Sequence, residues 1–443
     1  MKKGGAGGDW GPCPAPGGAP GKDCGREMYQ TIVVALSFAL VVGLLRLGWK
    51  VGRSLLLSAA LLTLFLPARG PQLWEFLVRN WAEHPWHRTF PVQTADLVVL
   101  VVLVNFLGET MKEFGLSARL PGSLQHLLRS RRLATAGMPA MMGLMPTPGG
   151  IMLSAPIVKG MAAEYGVPPA RAAVINYWFR HVWEYTFPMF PALPLMCGIV
   201  GAQIGSVIGR NAHVTLASLL FGAVFLLRGF RSGGTFEEPR SRRVRSSLGD
   251  VFAALWPVFL ALALCTAARL PAGVALAVSV GLLVLVRRVR PRRMLEMLRV
   301  SFEVDLVMVV LAAMSYRAVL DASGAVVSVS GVIGGAGLPV IVIVFLLPFV
   351  IGIITGISSA MVGLSCPLLL PFLVVGGEVR YDLLTLVLFG GMAGVLVTPV
   401  HLCLALSRDY FGVKFSQLYR HVIPLVVCTA AVVWLVALLW PGG

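Results

Sequence analysis

Charge is what this chain has least of. Only 13% of its 443 residues are Asp, Glu, Lys or Arg, where a soluble domain carries about a quarter. With 57% hydrophobic residues and a mean hydropathy of +0.82, a soluble globular fold is excluded. The seven cysteines form no Cys-x-x-Cys pair, and most sit in apolar runs. They read as small core residues, and neither a disulfide framework nor a metal site is indicated. Residues 1–27 are Gly/Pro-rich with four positive charges and lack the apolar core of a signal peptide, so they read as a disordered tail. There is no phosphate loop, dinucleotide fingerprint or serine-hydrolase elbow, and His181-x-x-Glu184 lacks the second histidine of a zinc-protease motif. No catalytic residue and no cofactor is therefore assigned.

The net charge of +17 would suggest nucleic acid in a soluble chain. Here the basic residues cluster in short loops between apolar runs, which is the positive-inside pattern of a membrane protein. The partner implied is the lipid bilayer, and no nucleic acid is expected. Apolar runs fall at 28–45, 54–67, 94–111, 133–163, 172–188, 190–208, 213–229, 250–268, 271–286, 303–320, 337–375, 381–398 and 417–440, judged against the roughly 20 residues a crossing needs. This predicts an all-α polytopic fold with about 11–13 transmembrane segments. The Trp-bearing stretch 71–90 and the basic stretches 117–132 and 291–300 read as interfacial. Loops 46–53, 112–132, 228–245 and 287–299 are rich in Lys and Arg, whereas 321–336 has none. If each interrupted segment crosses once, the rich loops share one side, taken as cytoplasmic in a cell (inner or plasma) membrane.

Two apolar runs are interrupted. In the first, Pro146, Thr147, Pro148, Gly149, Gly150, Ser154 and Pro156 lie where proline removes an amide donor and glycine weakens the helix. In the second, Thr355, Gly356, Ser358 and Ser359 occupy the matching place. Non-helical backbone at membrane depth survives only where protein or a water-filled cavity satisfies it, and transporters use such broken helices to hold substrates and ions. The chain also reads as two copies of one pattern. The stretch from Asp96 to Gly115 lies on that from Asp305 to Gly324 at an offset of 209, and Leu153-Ser154-Ala155-Pro156 lies on Leu364-Ser365-Cys366-Pro367 at 211. A basic loop follows the first Asp-Leu-Val span and precedes the second, so the repeats read as inverted. The expected divisions are a tail at 1–27, a first repeat at 28–210, a linking helix and basic loop at 211–249, and a second repeat at 250–443.

Ionisable groups inside a membrane are costly and mark candidate sites. Asn176, Arg180 and Glu184 are four apart and predict one helical stripe. Arg180 suits a substrate carboxylate as a bidentate fork, and His181 and Glu184 suit the coupling cation. An Arg180–Glu184 ion pair that locks two helices together is the plainer alternative. The hydroxyls of Thr147, Ser154, Thr355, Ser358, Ser359 and Ser365 add ligands at both interruptions, although any one of them also suits back-bonding to a helix carbonyl. His401, after Thr398-Pro399, is a further candidate proton site.

Leu144-Met145-Pro146-Thr147-Pro148-Gly149-Gly150, Ser154-Ala155-Pro156, and Asn176-Tyr177-Trp178-Phe179-Arg180-His181-x-Trp183-Glu184 with Pro188, Pro191 and Pro194 resemble the integral membrane family called domain of unknown function 401. That family is similar to the ion transporter superfamily of gluconate, citrate and dicarboxylate permeases. The resemblance implies inverted repeats with paired re-entrant or broken segments, alternating access and a homodimer. It also implies movement of a small organic anion with a coupling cation, H+ or Na+. The Ser-Asn-Thr type signatures of the dicarboxylate members are replaced here by Pro-Thr-Pro-Gly-Gly and Thr-Gly-Ile-Ser-Ser. The expectation is a secondary active transporter with its substrate held between the two interruptions. A membrane-embedded enzyme acting on a lipid-borne substrate through His181 and Glu184, and a passive channel, are the alternatives.

Overall fold

The computed structural model describes residues 22–66, 70–83, 89–115, 130–144, 151–230, 244–268, 272–325 and 339–440, with a few single positions between them. Apart from a short antiparallel hairpin, Val374–Val375 (β1) with Glu378–Val379 (β2), the regular structure of these residues is helical. Among the described residues, seven helices are long and apolar enough to cross a membrane, and four further apolar helices are shorter. The chain is an all-α polytopic membrane protein.

In chain order the described helices form two runs of nine, the second beginning after residues 231–243. The first comprises α1 (Lys22–Arg46), α2 (Val51–Phe65), α3 (Gly70–Glu83), α4 (Phe90–Glu113), α5 (Arg131–Gly143), α6 (Ile151–Glu164), α7 (Pro169–His181), α8 (Ala192–Val200) and α9 (Ile204–Leu226). The second comprises α10 (Val244–Thr266), α11 (Ala272–Val286), α12 (Pro291–Ser301), α13 (Val304–Ser323), α14 (Val340–Thr355), α15 (Ser358–Leu373), α16 (Tyr381–Val397), α17 (Leu402–Phe411) and α18 (Phe415–Leu439). The third member of each run is a short amphipathic helix. On α3, Trp74 and Trp81 are exposed; α12 is pinned to the end of α4 by Arg293 on Glu113, 2.5 Å.

Packing is exchanged between the runs. Helix α2 packs on α13 and α11 on α4; α8 packs on α15 and α17 on α6; α9 packs on α16 and α18 on α7. The local breaks repeat too. Pro139 in α5 matches Pro348 in α14, and Pro156 in α6 matches Pro367 in α15. Helices α8 and α17 both end on a left-handed glycine, Gly201 (φ 78°) and Gly412 (φ 66°), a conformation that a Cβ would strain. Gly143 and Gly352, 209 positions apart, each let a helix touch backbone. A Cβ at Gly143 would collide with the carbonyl of Arg180, and one at Gly352 with that of Gly391. Small residues permit this close approach in membranes, where packing rather than water exclusion holds helices together.

The direction of α15 follows from register. The carbonyl of Phe345 lies over Gly390 and that of Phe349 over Gly394. Farther along, Thr398 bonds Ile353 and His401 bonds Gly356. Every pair is 45 positions apart, so α14 and α16 run parallel. The β1–β2 hairpin reverses the chain between α15 and α16, which makes α15 antiparallel to both. The chain therefore turns back at Gly356 (φ 64°) and Ile357 (φ −132°, ψ 121°). Each 16-residue arm rises about 24 Å, short of the roughly 30 Å hydrocarbon core.

Several sequence expectations change. The run 337–375, expected as broken or re-entrant, is a helical hairpin whose arms turn at Gly356. The run 190–208 is not a crossing either: α8 has nine residues, ends at Gly201, and α9 starts at Ile204. Helix α7 stops at His181 and turns follow it, and Pro188 bars a helix through the expected end at 188. Pro156 does not end its helix but sits inside α6. Helix α9 runs through the boundary expected at 210, and residues 22–27 of the expected tail already belong to α1. Pro146, Thr147, Pro148, Gly149 and Gly150 lie outside the described residues, as does most of 117–132.

The close approach of α14 to α16 makes a stability prediction. Gly352→Val should lower the thermal midpoint of the detergent-purified protein, at a cost of about 1–3 kcal/mol from overpacking. Gly281→Ala on α11, with open space around it, should leave the midpoint unchanged. Equal midpoints for the two variants would reject the contact.

Candidate functional site

Helix α7 opens on Pro168-Pro169 and carries Asn176, Arg180 and His181, all buried. Asn176 donates from Nδ2 to the carbonyl of Ile151 (3.1 Å) and accepts from Ser154 Oγ (2.6 Å). These two predicted binding residues thus stitch the first turn of α6 to α7. Arg180 Nη1 donates to the carbonyl of Met142 (3.0 Å) at the end of α5, where helix carbonyls lack partners and a cation is favoured. Its guanidinium also bonds the Cys403 side chain.

Glu184 lies past the end of α7, so the expected stripe Asn176–Arg180–Glu184 is not a helical one. A turn, Glu184 N–H to the carbonyl of His181 (3.2 Å), still keeps the carboxylate beside Arg180 and brings Oε1 to 3.7 Å from His181 Nε2. The carboxylate accepts a hydrogen bond from Ser358, the first residue of α15. A carboxylate at a helix N-terminus complements the dipole, so the chain itself supplies an anion at this tip.

Three interruptions meet here. His181, ending α7, places Nε2 3.1 Å from Nε2 of His401, and His401 Nδ1 is 2.8 Å from the carbonyl of Gly356 at the hairpin tip. His401 lies in the break between α16 and α17, which continue one apolar stretch from Tyr381 to Phe411. Cys403 stands two residues on. Sequence reasoning treated Cys403 as core filler and missed its meeting with His181, more than 200 positions away. The signal in the sequence is a histidine two residues after the Thr398-Pro399 kink.

On the other side of the tip lies a cavity of about 750 Å³. Thr355, Ile357, Ser359, Thr398 and Val400 line it, together with Arg46 and Lys50 from the α1–α2 turn and Glu303 and Asp305 at the start of α13. Lys50 pairs with Asp305 at its mouth. Arg180, the expected anion partner, is not in this lining. A second cavity, about 930 Å³, lies at the start of α4. Asp96, Leu97 and Leu100 line the second cavity, while Asp305, Leu306 and Val309, each 209 positions later, line the first.

The predicted residues therefore fall into three places. Arg180, His181, Glu184, Gly356 and Ser358 come together. Thr355 and Ser359 face the first cavity, and Ser154 and Asn176 bond each other.

Fold and site define a polytopic membrane protein in which a helical hairpin meets a broken helix around buried charges. The model of the family described as "Protein of unknown function (DUF401)" matches residues 32–440, and the chain belongs to that family. Among solved structures, the chain is similar to the crystal structure of the Alcanivorax borkumensis YdaH transporter, described as having an unusual topology. The TM-score is 0.55 and the identity 14%, covering 94% of this chain and 100% of that one. At that identity the likeness is one of fold. No curated protein matches in sequence.

The cavity makes a labelling prediction. With the native cysteines replaced, Ile357→Cys and Val400→Cys should react with a membrane-impermeant maleimide from the same face as Lys50→Cys. Reaction from the opposite face would refute the route from the α1–α2 turn to the hairpin tip.

Proposed function

We propose that this protein is a secondary active transporter of a small organic anion, working by alternating access. The observation that carries the reading is the hairpin tip Thr355–Ser359. One side of it faces a cavity, and the other touches the buried Arg180–His181–Glu184 group. Such irregular backbone at membrane depth is a transporter device, and the similar fold of YdaH, itself described as a transporter, supports it. If α5–α6 also turns back and α7–α8 crosses once, as α16–α17 does, each run has an odd number of crossings: α1, α2, α4, α7–α8 and α9 in the first. The second run then starts on the opposite side, as the charge pattern expects, and the repeats are inverted.

The finer assignments are ours as well. Arg180 is the anion partner once substrate draws it from Met142 and Cys403. Pro146, Thr147, Pro148, Gly149, Gly150, Ser154 and Asn176 supply substrate contacts from the first run, and Thr355, Gly356, Ser358 and Ser359 supply them from the second. His181 and Glu184 answer to the coupling cation, H+ or Na+. The protein works in a cell (inner or plasma) membrane, as a homodimer.

A ligand that binds only the folded protein stabilises it by about 2.7 kcal/mol at a hundredfold excess over its Kd. A panel of small carboxylates and sugar acids, with and without sodium at two pH values, should yield one acid that raises the thermal midpoint. Arg180→Gln should abolish that shift. In proteoliposomes the same acid should accumulate against its gradient when a proton or sodium gradient is imposed. A flat panel, or uptake that only equilibrates, would sink the reading.

A further inference from the structure

We propose that His181, His401 and Cys403, with a water molecule in the fourth position, form a binding site for a divalent cation of the zinc class. The site does not rest on the transport reading, because it follows from how two imidazoles face each other.

Each ring has Nδ1 at hydrogen-bond distance from a backbone carbonyl, Tyr177 for His181 (2.7 Å) and Gly356 for His401 (2.8 Å). A carbonyl only accepts, so in both rings Nδ1 carries the proton, and a neutral ring then presents a lone pair at Nε2. The two Nε2 atoms are 3.1 Å apart. Lone pairs opposed at this distance repel unless a cation is held by both. Zinc–nitrogen bonds of about 2.0–2.1 Å set two tetrahedral ligands roughly 3.4 Å apart, close to the spacing here. A carbonyl on the far nitrogen is also the outer partner that metal-bound histidines almost always have, because it fixes tautomer and ring orientation.

A third ligand lies close by, with a carboxylate beside it. Cys403 Sγ and one nitrogen of each ring lie within 4.8 Å of one another, and Glu184 Oε1 is 3.7 Å from His181 Nε2. Imidazole and thiolate select zinc or cobalt over sodium, magnesium or calcium. Binding M²⁺ releases one proton from the Cys403 thiol to solvent and forms one metal–sulfur bond. The thiolate and the nearby Glu184 carboxylate offset the two charges of the ion, and the Arg180 guanidinium beside both leaves one positive charge. A water in the fourth position, made acidic by the ion, removes that charge by releasing a second proton to solvent. Arg180 keeps its bond to Met142. The ligands come from the end of α7 and the start of α17, while His401 also holds the α14–α15 tip. A bound ion therefore clamps the two runs together.

Cobalt(II) is the probe, added to the full-length protein in detergent. The expected result is one tetrahedral cobalt per chain, with its d–d bands and a thiolate-to-cobalt charge-transfer band, all displaced by zinc. Cys403→Ser should remove the charge-transfer band and His401→Ala the tetrahedral bands, while Cys428→Ser keeps both. Zinc should also raise the thermal midpoint of the wild type. If the wild type shows no bands, the pair holds at most a shared proton and the metal site is overturned. Bands that survive unchanged in both Cys403→Ser and His401→Ala overturn it equally. The wild-type spectrum decides first, so a variant that fails to fold leaves the proposal open to refutation. None of these readouts depends on uptake.

Discussion

A bilayer interior offers no water to an exposed carbonyl, and the structure is arranged around that fact. Each time a helix stops inside the apolar layer, its last carbonyls lose their partners. Side chains from other helices supply donors. Arg180 reaches Met142 and Trp183 reaches Ala140 at the end of α5; Thr398 reaches Ile353 near the end of α14; Tyr177 reaches Leu396 at the end of α16. In the turn after α7, Asn211 bonds Tyr185 and Thr215 bonds Val182. The buried polar groups that look functional in sequence are thus first the partners of interrupted backbone. A role in binding must be exercised by exchanging these bonds, each worth about 0.5–1.5 kcal/mol net and more for a charged donor.

The two runs carry different chemistry. Two hundred and eleven positions after Asn176, Arg180 and Glu184 stand Val387, Gly391 and Val395. The second run brings different groups, Ser358, His401 and Cys403, to the same meeting point. One run supplies the charges and the other the tip and a thiol. The centre therefore exists only when both runs are packed, and neither run would carry it alone.

This arrangement also explains what the sequence disclosed. Proline and glycine clusters mark interrupted helices through local backbone physics, so both interruptions are visible in the chain, as are the amphipathic α3 and α12. Hydropathy, however, carries no direction. That α15 turns back depends on Phe345 meeting Gly390 and Gly356 meeting His401, contacts between residues 45 apart. The same blindness fused α8 with the start of α9, because Gly201 and Gln203 are too small an interruption to break an apolar average. The expected stripe through Glu184 fails because α7 ends three residues earlier. His181 and His401 could not be paired from spacing, since only the folded exchange between runs sets them side by side.

The constant register between α14 and α16 has one more consequence. Four contacts along two parallel helices, two of them backbone against glycine, leave no room for sliding, so the hairpin arm, its tip and α16 form a single beam. A residue inserted after Gly390 would turn the rest of α16 by about 100° and carry His401 off Gly356. Substitutions on the outer faces of these helices alter a surface; a change in length by one residue dismantles the centre. In this stretch the quantity under constraint is chain length itself.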